Sequence, residues 1–157
     1  MKLTVRHLMD ATLVVTQIIN EKRPMPQKGK YRLARMHAKL LPEFNIANEQ
    51  RDQLIKDYDT LQMEKSVNPD GSEIELPTDR YIVPLEKMPE FNEKWGAVLS
   101  QVIDVDVQAI PLAQLDLGDS VDGGISAQEL VTLGCLVTDD DGPYQEILPP
   151  DRRLNIN

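Results

Sequence analysis

At 157 residues, 41% of them hydrophobic and 27% charged, the chain has the make-up of one folded domain, and with only 4% aromatic residues its interior must be aliphatic. No apolar run approaches the roughly 18 residues of a membrane span. Arg6, His7 and Asp10 spoil a signal-peptide core near the start, and Cys135 has no second cysteine for a disulfide or a zinc pair. These features predict a cytoplasmic protein in which Cys135 is a small buried hydrophobe. The net charge of −9 argues against a general polyanion binder, but it is segregated: nine basic residues face only Asp10 and Glu21 up to Pro42, whereas eleven acidic residues face only Arg152 and Arg153 from Asp104 onward.

In chain order, Val5, Leu8, Thr12, Val15 and Ile19 recur at helical spacing behind Thr4, a ready N-cap. "KRPMPQKGK" at 22–30 breaks that helix. A second, longer pattern runs through Met36, Leu40, Phe44, Ala47, Leu54, Tyr58 and Leu61, and Pro42 should kink or divide it. "NPDG" at 68–71 is a turn, and "SEIELPTDRYIVPL" reads as two short extended pieces around Pro77-Thr78-Asp79. Pro89 opens a third helix with Phe91, Trp95, Val98 and Leu99 on one face. "VIDVDVQAI" at 102–110 alternates strictly, as a strand with one wet face does.

The segment that most resembles a site is "GDSVDGGISAQEL" at 118–130, where Asp122-Gly123, Ile125 and Glu129 fall at calcium-loop positions. Its first ligand position is Gly118, which has no side chain, and Pro111 would interrupt the entering helix. A metal-free reading fits better: Ser126 as N-cap, Glu129 closing a capping box, and Ile125 reaching Leu130 as a staple. "DVD" at 104–106 lacks an accompanying nucleotide loop and reads as a solvated strand face, and "DDDG" at 139–142 as a stop after a helix. His7 and His37 lie on separate helices with no nucleophile beside either. No catalytic residue, metal ligand or cofactor follows from these patterns, and the chain is expected not to be an enzyme.

The run from Lys22 to Lys39 differs, because seven cations and no acid occur in it. Tyr31 is its one aromatic, which gives little support to base stacking, and tight sequence-specific nucleic-acid binding is not expected. Lys28, Lys30, Arg32, Arg35 and Lys39, with Arg152 and Arg153 near the C-terminus, are the candidate partner-binding residues.

The layout as a whole, with "KGKYRLARMHAKLL", "RYIVPLEKMPEFNEKW", "IDVDVQAIPLAQL" and "ISAQELVTL" in this order, resembles small uncharacterised bacteriophage proteins encoded among phage structural genes. That resemblance implies a non-enzymatic structural or virion-assembly protein acting through protein–protein contacts, with other phage proteins or itself as partner and no membrane. It would reside in the host cytoplasm or in the virion. The alternative is an acidic phage inhibitor of a host nucleic-acid-binding defence machine, in which residues 104–141 mimic a phosphate backbone. The expected fold is α+β: one domain with an antiparallel helical hairpin over 1–64, a small mainly antiparallel sheet with two further short helices over 65–148, and an extended arm over 149–157.

Overall fold

Thr4 starts the first helix as its position suggests, its Oγ1 accepting the His7 backbone N–H at 3.1 Å, and α1 (Val5–Asn20) follows. The structure, a computed structural model, describes residues 1–115 and 124–139, and the fold is α+β with an N-terminal antiparallel helical pair. The chain gathers into two compact units, residues 1–12 with 38–106 and residues 13–37 with 107 onward. Both α1 and α2 (Gln27–Lys56) therefore lend one end to each unit, and the units do not coincide with the segments expected from the sequence.

In the first unit Leu3, Val5, Leu8, Ala11, Leu40, Ala47 and Val105 are buried. Strand β1 (Lys2–Thr4) pairs antiparallel with β4 (Val102–Asp104), Leu3 lying opposite Ile103. The strand expected over 102–110 is paired only that far, because β1 runs out and the Val105 N–H takes the Met1 carbonyl at 2.8 Å. Its alternation outlasts its pairing: Val105 and Val107 are buried while Asp104, Asp106 and Gln108 are exposed.

Pro42 does not divide the second helix, since α2 runs through it. Pro42 and Ala38, whose carbonyl loses its i+4 donor, are both exposed, so water can take the orphaned acceptor. The helix ends earlier than expected, at Lys56, and Asp59 turns the chain at φ 50°. Leu61 thus belongs to a strand, β2 (Leu61–Val67), which pairs antiparallel with β3 (Glu73–Tyr81) across the expected "NPDG" turn. There the Gly71 N–H reaches the Asn68 carbonyl at 2.9 Å with φ 85°. The two extended pieces expected around Pro77 are this one strand. Pro77 sits opposite Met63 beside a register irregularity, in a two-stranded ladder where every strand has an open edge. Helix α3 (Met88–Leu99) carries Pro89 in its first turn, and its Phe91 ring meets Tyr58 edge-on at 6.4 Å.

In the second unit α1 closes with the Arg23 N–H on the Ile18 carbonyl and the Lys22 N–H on that of Ile19, a Schellman arrangement with Lys22 at φ 52°. Buried Val15, Ile18, Leu33, Met36, Ile110, Leu133 and Leu136 form its core. Strands β5 (Ile110–Pro111) and β6 (Val137–Thr138) pair in parallel. Among the described residues the expected single sheet is thus three two-stranded ladders, two of them antiparallel. Between α4 (Ala127–Leu133) and β6 a 3-10 turn over 134–136 turns Leu133 and Leu136 inward. Its tighter winding leaves Cys135 exposed, which corrects the expectation that this side chain is buried.

At the start of α2, Gly29 lies so close to the Gln114 carbonyl that a Cβ would collide with that backbone oxygen, whereas a Cβ on Gly96 in α3 would meet nothing within 4 Å. Gly29→Ala is expected to lower stability by about 1–3 kcal/mol despite its better helix propensity. Gly96→Ala should raise it by up to about 1 kcal/mol, and thermal melts of the two variants give opposite signs.

Candidate functional site

The basic run that the sequence groups together is divided by the fold. Arg23, in the connector between α1 and α2, turns inward and is only 7% exposed. Its Nη1 donates to Glu129 at 2.7 Å and to the Gly124 carbonyl at 3.1 Å, and its Nε donates to Glu21 at 2.6 Å. Glu129 is held by the helix that carries it: its Oε2 accepts from the Ser126 N–H and Oγ, both at 2.8 Å, while the Ser126 Oγ accepts the Glu129 N–H at 3.3 Å. This is the capping box read from the sequence, present in both halves.

Burial alone would push the Glu129 carboxyl up, but the hydrogen bonds from Arg23 and from the Ser126 amide and hydroxyl, with the Arg23 charge, outweigh it and hold the group below the ordinary value of 4.5. Glu21 is lowered too, by hydrogen bonds from Gln17 and then Arg23. One of the two Glu129 oxygens that a calcium loop would use is therefore already committed to a guanidinium and an N-cap. Residues 118–123 of that loop lie outside the described residues, and among the described residues no group of acidic, histidine or cysteine side chains could hold a metal.

Of the remaining cations of the run, Lys22 lies in the connector and the others lie on α2. Lys28, Arg32 and Arg35 follow the spacing of one helical face, with the Arg35 guanidinium 5.9 Å from the ring centre of Tyr31, itself 64% exposed. Lys30 falls on a different face. Lys39, in the first unit, pairs with Asp106 at 3.0 Å. Arg152 and Arg153 lie outside the described residues; of the other candidates, Lys28, Arg32 and Arg35 share one helical face, with Lys28 and Arg35 exposed and Arg32 half-buried. His37 Nε2 is 3.0 Å from Thr16 Oγ1, a structural link between the two helices, and His7 lies apart from it on α1. "DVD" keeps its exposed carboxylates, with Asp104 on the Met1 amine at 2.9 Å. Asp139 follows β6 and not a helix, and the rest of "DDDG" lies outside the described residues.

Sequence reasoning missed the Arg23–Glu129 pair. The two residues are 106 positions apart, and Arg23 carries no local mark separating it from its exposed neighbours. No protein-family model, curated protein or solved structure matches the chain. No helix among the described residues is long and apolar enough to cross a membrane.

Because the Glu129 carboxyl titrates lower folded than unfolded, its contribution is complete above the ordinary 4.5 and is lost as pH falls through the folded value. Melting temperature is expected to hold from neutrality to about pH 5 and to fall below that. Glu129→Gln should melt lower at neutral pH, since it weakens a buried pair worth on the order of 3 kcal/mol to break, and should lose less on acidification. Millimolar calcium should leave the wild-type melt where chelator leaves it; a rise of several degrees would restore the calcium loop.

Proposed function

We propose that the chain is a non-enzymatic protein that acts by protein–protein contact, as a bacteriophage structural or virion-assembly component. The observation that supports contact is the surface of the first unit: from residue 48 to residue 104 no side chain is buried. Within that stretch the β2–β3 hairpin exposes Met63 by 50%, Val67 by 67% and Leu76 by 50%. A two-stranded ladder is marginal in water on its own, and exposed apolar groups on both of its faces suit contact with a partner. The bacteriophage setting comes from the layout of the sequence alone.

The acidic-mimic alternative draws less support. A phosphate mimic needs its carboxylates presented outward, and Asp104 and Asp106 are partly neutralised by the Met1 amine and Lys39.

Sedimentation of the full chain is expected to show a salt-insensitive species larger than the monomer, held by apolar contact. Val67→Glu with Leu76→Glu should return it to monomer while leaving the melting temperature within the range of a surface change, about 0.5 kcal/mol. A wild-type chain that stays monomeric and is missing from purified particles would shift the reading to the inhibitor.

A further inference from the structure

The second unit contains an apolar cleft of about 310 Å³, walled by Ile18 and Ile19 from the end of α1, Met25 from the connector and Leu33 from α2. Lys22 and Lys30 also line it, and none of its described lining residues is acidic. Both lysines are exposed, and neither has an ion partner among the described residues, whereas the neighbouring Arg23 is taken up by Glu21 and Glu129. Apolar walls with two cations from two different elements, neither ion-paired among the described residues, attract a ligand that alternates aliphatic and anionic groups. We propose that this cleft binds a short acidic, aliphatic peptide segment of a partner protein, its leucine- or isoleucine-type side chains against the half-buried Ile19 and Met25 and its carboxylates on Lys22 and Lys30. A peptide is favoured over a single-tailed carboxylate because the cleft is open to solvent and offers two cations, while a lone acyl chain supplies one charge and needs enclosure. The inference rests on the reading that the chain works by protein contact, but it uses a surface separate from the β2–β3 hairpin.

The backbone supplies a clean variant. Lys22 occupies the left-handed C′ position that favours glycine, at φ 52°, so Lys22→Gly removes the cation while easing the turn. The test is fluorescence anisotropy of a labelled peptide of about ten residues alternating Glu and Leu, titrated with the full chain. Saturable binding is expected, weakening with salt, and falling about tenfold in Lys22→Gly combined with Lys30→Gln. Lys22→Gly alone should melt no lower than wild type, which separates lost binding from lost folding. The hairpin variant Val67→Glu with Leu76→Glu should bind the peptide as wild type does, so failure of the hairpin contact leaves this result standing. Equal affinity in the lysine variants, or no saturable binding, overturns the proposal. Octanoate binding where the peptide does not would assign the cleft to an acyl anion and overturn it as well.

Discussion

A guanidinium cannot leave water without bringing counter-charges with it, and Arg23 meets that condition with two carboxylates and a carbonyl. The consequence for the second unit is large, because the partners come from distant parts of the chain. Glu21 is local, but Glu129 and Gly124 come from the C-terminal part, so the pair ties the connector of the helical pair to α4. The same carboxylate also completes the N-terminal cap of α4. One side chain therefore satisfies orphan donors at a helix start and neutralises a buried cation. Substituting it removes both functions together, which makes the two effects non-additive.

This arrangement changes the meaning of the segregated charge. Read from the sequence, a basic beginning and an acidic end suggest two patches waiting for partners. In the fold, opposite signs meet inside each unit: Arg23 with Glu129 in one, Lys39 with Asp106 in the other. The second pair is exposed and adds little to stability, but it still offsets two of the charges a partner would have met. Of the other cations of the run, Lys28, Arg32 and Arg35 follow one helical face and Lys22 and Lys30 line the cleft.

Features governed by local chemistry were legible in the sequence. Thr4, the "NPDG" turn, Pro89 at a helix start and the Ser126–Glu129 box each act over three or four residues, and each is present. The alternation after Val102 also survives, even where no strand pairs with it, because burial and not hydrogen bonding sets the pattern. The misreadings arise where a local rule met a wider context. Pro42 does not end its helix, and the Ala38 residue whose carbonyl loses its donor is exposed to water, which lowers one of the costs of an internal proline. Leu61 continues a helical spacing from Leu54 and Tyr58 by coincidence, although the residues after it alternate with period two. The Arg23–Glu129 pair and the cleft depend on chain separation that no window of sequence contains.

The β2–β3 hairpin shows why burial and pairing must be weighed separately. Directly opposed residues share a face, so Met63, Lys65 and Val67 lie with Pro77, Glu75 and Glu73, while Glu64 and Ser66 lie with Leu76 and Ile74. Each face thus mixes apolar and charged groups, and neither has the uniformly apolar character of a sheet that packs on a core. Lys65 and Glu73 are 3.3 Å apart on the first face, a cross-strand pair that favours register without burying anything. Such a hairpin is specified by its turn and its cross-strand pairs while gaining little from the hydrophobic effect. Its apolar residues are then exposed on both faces, and the charges between them disfavour indiscriminate edge-to-edge aggregation.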